Sequence, residues 1–343
     1  MPMTELGSNG GTYAMELCNV TKQYPGVEAP SVDGISLRIR PGEMLVLIGS
    51  SGCGKSTTLR MINRLVEMTS GDILVEGRNI QTLDPVELRR GIGYVIQNVG
   101  LMPHLTIAQN VGFVAKLMKW PSQKINSRVE ELLNTVGLEP GRFRDRYPRQ
   151  LSGGQQQRVG VARSLMLDPP VILMDEPFGA VDALLRRQLQ QEMLQLQERL
   201  HKTIVLVTHD IAEAFILGDR IAVMSNGRLL QCGSPSELIS EPADQVVTDL
   251  LADSVRLRRL DLLTLGDAVS GGSHAEDPAQ PSVSLDEKTT LRQALVAIAQ
   301  RTGDRGVTVT AQDKIRGFVS QRKLLEFVAL DEAEVNNQAD KIA

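Results

Sequence analysis

Three short stretches carry residue types and spacings suited to holding a phosphate anion and activating a water molecule. The first is Gly49, Ser50, Ser51, Gly52, Cys53, Gly54, Lys55 and Ser56, which fits G-x-x-x-x-G-K-[ST]. Glycines let backbone N–H groups wrap phosphate oxygens with no Cβ in the way. The helix expected next, over 55–66, turns its positive end toward the same anion. Lys55 would reach the β- and γ-phosphates of a nucleotide such as ATP, and the Ser56 hydroxyl would ligate Mg2+. Thr57 is counted with this cradle. Cys53, inside the loop, reads as a small side chain facing the protein rather than as a redox switch.

The second stretch is VILMDE at 171–176, an apolar run ending in two carboxylates. Asp175 is placed to hold Mg2+ through water, and Glu176 to accept a proton from a water attacking the γ-phosphate. Such a pair alone could cap a helix, but its place downstream of the glycine loop favours the chemical role. The third is His209, which follows the run TIVLVT at 203–208. A lone histidine is usually structural. This one ends a strand expected to lie beside the Asp175 strand, at the carboxyl edge where α/β sheets gather ligands. Glu176, His209 and Lys55 are therefore the candidate catalytic residues.

The elements needed to position these groups are visible in the apolar pattern. MLVLIG at 44–49 is almost continuously apolar, as a buried central strand should be, whereas SLRIR at 36–40 alternates like a half-buried one. MELCNVTKQY from Met15 reads as a further strand. From about 98 to 165 the texture is helical, with Asn110–Met118 and Arg128–Val136 clearest. Between the runs at 171–175 and 203–208, Leu185, Leu189, Met193, Leu196 and Leu200 share one helical face over 184–201. RIAVM and RLLQ around Asn226-Gly227 predict a hairpin. Strands alternating with helices predict an α/β fold with a largely parallel sheet.

At 343 residues the chain suits one large domain and a smaller one. A net charge of -4 and 3% aromatic residues argue against a nucleic-acid-binding surface, which would be basic and rich in stacking rings. Three separated cysteines, Cys18, Cys53 and Cys232, make neither a disulfide framework nor a metal spacing, and they fit a reducing cytosol. No signal-peptide layout and no bilayer-length apolar run is seen, so a membrane role is expected only through partners. Residues 1–12 are glycine-rich and read as a mobile tail; 266–284 read as a linker. Beyond it, helices are expected at Thr290–Gln300 and Arg322–Leu330, with strands at 306–310 and 315–319.

One more motif names a family. Leu151-Ser152-Gly153-Gly154-Gln155, extended by QQR, resembles the signature sequence of ABC ATPases. The resemblance implies a P-loop NTPase with a mostly parallel sheet, an antiparallel β subdomain and a helical subdomain. In that family the signature contacts ATP held by a second copy. Ser152 with the N–H groups of Gly153 and Gly154, at a helix start, offers an anion site of that kind. Other positions match in order: Tyr24 the aromatic that stacks on adenine, Gln97 the Q-loop glutamine that senses Mg2+ and the membrane partner, Asp182 the D-loop aspartate, His209 the switch histidine. Val181 departs from the usual leucine before Asp182. The resemblance covers roughly 15–250, and implies an ATPase domain over 13–250 with its helical subdomain at about 98–165.

The wording around the motifs is similar to the ATP-binding subunits of osmoprotectant importers for glycine betaine, choline or related quaternary amines. That implies ATP and Mg2+, a sandwich homodimer, integral membrane permease subunits, an indirect extracytoplasmic substrate-binding protein, and a peripheral place on the cytoplasmic face of the membrane. An importer ATPase for another small solute, such as an amino acid or polyamine, is the alternative. A non-transport soluble ABC ATPase is less favoured, because no coiled-coil insertion or second cassette is seen; an exporter half would usually carry fused membrane segments. After a linker at 251–282, residues 283–343 resemble a single degenerate CBS motif. Arg256, Arg258 and Arg259 read as a solvated helix face rather than a lipid-binding patch.

Overall fold

The computed structural model describes residues 13–97, 99–179, 183–251, 264–270, 283–299, 306–311, 314–320 and 324. The expected tail at 1–12, Asp182 with Val181, the Arg256–Arg259 cluster, 271–282 and all of the expected helix at 322–330 except Leu324 lie outside the described residues. The chain divides into a unit at 1–247 and a second at 248–343.

The first unit holds two sheets. Strands β1 (Met15–Lys22), β2 (Val32–Ile39), β4 (Ser70–Val75) and β5 (Arg78–Asn79) form an antiparallel sheet in the order β2-β1-β4-β5. The six-stranded sheet contains β3 (Met44–Gly49), β6 (Ile92–Val95), β7 (Val171–Asp175), β8 (Thr203–Val207), β9 (Arg220–Ser225) and β10 (Arg228–Gly233), in the order β10-β9-β3-β8-β7-β6. All its pairings are parallel except β9 with β10. Every residue of β7 and β8 is buried, which is why these strands read as unbroken apolar runs. β2 alternates buried and exposed residues because its sheet covers the core on one face only. One cluster joins the sheets, with Leu17 and Ile39 packed among Leu47, Leu173, Val205 and Leu59. The expected hairpin is β9–β10: Asn226 and Gly227 both take positive φ, at 47° and 80°, as a two-residue turn of right-twisted strands requires.

Helix α1 spans Lys55–Ile62, four residues shorter than expected, because Arg64 takes φ 47° and turns the chain toward β4. A short helix α2, Pro85–Arg90, precedes β6. The helical region contains α3 (Ile107–Leu117), α4 (Ser122–Thr135), α5 (Pro140–Phe143) and α6 (Gly153–Ser164). α4 begins six residues before the expected 128, since its first turn (Ser122, Gln123, Lys124) is exposed and carries no apolar signal. α7 (Ala183–Leu200) follows β7, and buries Leu189, Met193 and Leu196 as the pattern required. α8 (Ile211–Leu217), α9 (Pro235–Ser240) and a helix at 245–251, α10, complete the described helices up to residue 251.

The segment between β6 and α3 is fastened by Asn110, which is fully buried. Its Oδ1 accepts from Met102 N–H at 2.7 Å, and its Nδ2 faces the carbonyls of Met102, Leu105 and Thr106 at 3.0–3.1 Å. From the amino side, Arg163 donates to the carbonyls of Val99 and Gly100.

In the second unit, α11 (Leu265–Ser270), β11 (Val283–Asp286), α12 (Leu291–Ala299), β12 (Gly306–Ala311) and β13 (Lys314–Ser320) build a three-stranded sheet ordered β11-β12-β13. β11 and β12 are parallel, with α12 as their crossover, and β13 returns antiparallel. Leu265, Ala268, Leu291, Ala294, Ile298, Val307 and Val309 form the core. The stretch from 266 was expected to be a linker, and its first residues are instead helix α11. Thr264 and Asp267 cap that helix reciprocally, an N-terminal signal hidden in a Gly- and Ser-rich stretch.

Asn110→Ala should destabilise the first unit by about 1–3 kcal/mol, because the part-buried Met102 N–H and the carbonyls of Leu105 and Thr106 lose the buried amide that joins them. A lower urea midpoint for the first unit's transition checks this, and an unchanged midpoint refutes it.

Candidate active site

Four neighbouring parallel strands, β3, β8, β7 and β6, end at one edge of the sheet, and each hands the chain to a candidate residue. β3 runs into the glycine loop, β7 into Asp175 and Glu176, β8 into Thr208 and His209, and β6 into Gln97. This is the carboxyl edge at which open α/β sheets bind ligands.

The loop's shape is enforced sterically. Gly49 has φ 147°, and a Cβ there would lie 2.1 Å from the Met224 carbonyl oxygen. Gly54, at the start of α1, has φ 105°, and its Cβ would lie 2.3 Å from the Ser31 carbonyl oxygen. Neither position admits a side chain while the loop rests on β9 and the β1–β2 connection. Ser50, Ser51 and Gly52 form the exposed rim, while Cys53 is buried, facing the protein as expected. Lys55 is buried too; its Nζ donates to the carbonyls of Gly49 at 2.8 Å and Ser50 at 3.0 Å, bridging the loop's ends. Thr57 lies half-buried in the first turn of α1.

Ser56 Oγ donates to Asp175 Oδ1 at 2.9 Å. These two hard oxygens are the donor type that Mg2+ takes when it keeps several waters and shares substrate phosphates, and they fit that ion. Gln97 turns its Nε2 to Glu176.

Glu176 follows the last residue of β7 and takes φ 45°, a left-handed conformation that is unfavourable for a residue with a side chain. Its N–H is anchored on the Val207 carbonyl of β8 at 2.9 Å. The turn redirects the carboxylate between two partners. Gln97 Nε2 donates to one oxygen at 2.8 Å, and His209 Nδ1 lies 3.3 Å from the other. The His209 side chain is 66% exposed, so it can swing toward a ligand without unpacking anything.

Contacts thus join the loop, Ser56, Asp175, and separately Gln97, Glu176 and His209. Tyr24 lies half-buried on the β1–β2 connection with the Lys22 ammonium 4.9 Å from its ring centroid. Ser152, Gly153, Gly154 and Gln155 open α6, where Ser152 and Gln155 form a reciprocal capping box. Neither group shares a hydrogen bond or ion pair with the cradle among the described residues. Asp182 is not described.

One buried group near His209 escaped the sequence reading. Glu213 Oε2 accepts from Thr208 Oγ1 at 2.8 Å, and that hydroxyl accepts from the Asp210 N–H at 3.0 Å. Asp210 caps α8 through the Glu213 N–H and is paired with Arg186. The network fixes the backbone on both sides of His209. Burial raises the Glu213 carboxyl to about 7, with Asp210 adding to the rise and Thr208, Arg186 and His209 opposing it. The sequence signal was the Asp-x-x-Glu cap at 210–213.

A glycine loop between a buried parallel strand and a helix, with an acidic strand end beside it, defines a P-loop nucleotide hydrolase. The ABC transporter family model matches residues 32–179. The chain is 45% identical over 313 residues to the osmoprotectant import ATP-binding protein OsmV of Salmonella typhimurium, covering 90% of this chain and 80% of that one. It is 44% identical over 312 residues to the choline transport ATP-binding protein OpuBA of Bacillus subtilis, covering 89% and 78%. The dimeric, post-hydrolysis structure of the ATP-binding cassette MJ0796 with ADP and Pi superposes with a TM-score of 0.57 at 37% identity, over 64% of this chain and 98% of that one. The chain belongs to the ABC transporter family, among its ATP-binding subunits.

The Glu213 carboxyl keeps its proton in the folded chain at pH values where the unfolded chain has lost it. Its contribution to stability is therefore lost as pH rises from about 4.5 to about 7. Glu213→Gln should abolish that loss, on the order of 3 kcal/mol. Melting temperatures at pH 5 and pH 8 test this: the variant should gain on wild type only at pH 8, and an equal offset at both would refute it.

Proposed function

We propose that this chain powers an importer for an osmoprotectant such as glycine betaine, choline or another quaternary amine. What carries the cargo reading is the length of the similarity. Matches of 312 and 313 residues to proteins named for osmoprotectant and choline transport are too long for the 247-residue first unit and must enter the second. A likeness confined to the ATPase motifs would say nothing of cargo. On this reading the subunit sits peripherally at the cytoplasmic face of the membrane, under a permease pair that an extracytoplasmic binding protein supplies.

The proposed chemistry follows from the geometry. Loop N–H groups and Lys55 receive the β- and γ-phosphates of ATP; the amine exchanges its contacts with the Gly49 and Ser50 carbonyls for phosphate oxygens. Ser56, Asp175 and Gln97 would hold Mg2+, which supplies charge neutralisation when bound. Glu176 takes a proton from water as the water oxygen bonds to the γ-phosphorus and the bond to the β-phosphate oxygen breaks, giving ADP and phosphate. Gln97 and His209 hold the carboxylate until substrate arrives, and His209 then turns to the γ-phosphate. Tyr24 stacks on adenine. Ser152, Gly153, Gly154 and Gln155 of a second copy close over the nucleotide, with Asp182 at the same seam. We assign residues 13–250 to the ATPase domain, with its helical subdomain at about 98–165. The parallel-then-antiparallel order of β11, β12 and β13 around α12 supports a single CBS-like motif within 283–343.

Glu176→Gln should retain ATP binding, lower hydrolysis by about 10²–10⁴ and accumulate as a dimer, read by phosphate release and gel filtration; wild-type turnover would sink the assignment. Lys55→Ala should weaken nucleotide binding itself in a fluorescent-ATP titration. For cargo, uptake of labelled glycine betaine, choline and proline would be compared in cells carrying wild type or Glu176→Gln. Uptake of quaternary amines lost in the variant supports the proposal. Uptake unchanged by the variant, with wild-type ATPase active, overturns the cargo but not the ATPase.

A further inference from the structure

Two residues that face each other each break a local rule. Gly160 lies buried in the interior of α6, where glycine holds a helix less well than alanine does. Val99 takes φ 35°, a left-handed conformation that a β-branched residue rarely adopts. The two departures meet at one contact. A Cβ on Gly160 would lie 2.5 Å from Val99 Cγ1, so α6 omits a methyl group where the valine side chain rests on it. The same helix also holds the valine backbone. Arg163, three residues along and on the same face of α6, donates through Nη2 to the Val99 carbonyl. Its Nη1 donates to the Gly100 carbonyl at 2.7 Å.

The held backbone carries a candidate site residue. Val99 N–H donates to the Ile96 carbonyl at 3.0 Å, closing a turn that has Gln97 inside it. From that turn, Gln97 Nε2 reaches Glu176 at 2.8 Å. Gln97 is exposed, so little packing of its own decides where its amide points. We propose that Val99 is a positioning residue for Gln97: seated on Gly160 and tied to Arg163, it sets the turn from which the Gln97 amide meets Glu176. α6 opens at Ser152, so the helix that begins with the signature residues also sets the reach of Gln97. The consequence for turnover rests on the ATPase function proposed above, whereas the placement of Gln97 does not.

The contact can be tested by trimming one side and filling the other. Val99→Ala removes the γ carbons, and Gly160→Ala adds a β carbon that would lie 3.8 Å from the Cβ of residue 99, an ordinary contact. Side-chain amide signals of the full chain labelled with 15N-glutamine report the placement without nucleotide, the Gln97 pair being assigned by its loss in Gln97→Ala. Each single variant should move that pair, and the double variant should return it toward its wild-type position. With ATP, each single variant should lower kcat by about ten- to a hundredfold and leave KM within about twofold, and the double variant should recover most of the loss. In a Gln97→Ala background neither substitution should lower kcat further, whereas general damage to the fold would.

A Gln97 signal unmoved by Val99→Ala overturns the placement, and this variant, which only trims a half-buried side chain, decides the matter even where Gly160→Ala does not fold. A double variant no closer to wild type than the worse single one overturns it as well. Further loss of kcat in the Gln97→Ala background overturns the role in turnover. Signals that move and return in a chain whose wild type hydrolyses no ATP uphold the placement and overturn the ATPase reading instead.

Discussion

The parallel pairing of β3 with β8 and of β8 with β7 is the constraint on which the rest depends. In-register parallel strands end together, so the glycine loop, Asp175, Glu176 and His209 arrive at one edge although some 160 residues separate the first from the last. The order is not free. Thr208 N–H donates to the Leu47 carbonyl and Glu176 N–H to the Val207 carbonyl, so the ladder continues past the strands and fixes the backbone at the candidate residues themselves. A one-residue slip of β7 would move Asp175 out of reach of Ser56.

Within that frame, most of the site's precision comes from backbone conformations that the surroundings impose. Gly49 and Gly54 leave no space for a side chain because carbonyls of β9 and the β1–β2 connection press on them. Glu176 is the opposite case: a residue with a side chain holds a left-handed conformation, a strain on the order of 1–3 kcal/mol. The bonds to the Val207 carbonyl and from Gln97 offset it. A straight exit from β7 would aim Glu176 to the face opposite Asp175, as successive strand residues do. The turn brings both carboxylates to the same edge, so one can face Ser56 and the other a water.

How much of this was legible in the residues follows from what each element is held by. The glycine loop was readable because its requirement is steric and local. β7 and β8 were readable because burial on both faces leaves an unbroken apolar run. Elements whose stability comes from elsewhere were not. α4 starts on exposed Ser122–Lys124, and β6 is only four residues long. α11 hides behind Gly266, its start marked only by the Thr264–Asp267 cap. Glu213 was legible only as part of a helix cap, for a different reason: a glutamate on a helix normally signals solvent, and only packing against Thr208 reveals it as buried.

On the proposed reading, the opening of α6 is the part of the nucleotide site that one copy of the chain lends to another. Ser152 Oγ accepts the Gln155 N–H, and Gln156 N–H reaches the Ser152 carbonyl. The N–H groups of Gly153 and Gly154, ahead of them, have no partner within the helix. Ser152 and Gly153 are exposed, and Gly154 is buried. An anion presented by a second copy would serve these N–H groups, since the donors are already aligned and the helix dipole adds to them. The gain would appear only when phosphate is present, and would vanish when the γ-phosphate leaves. On the proposed reading, a helix cap that is merely adequate alone would make association depend on ATP.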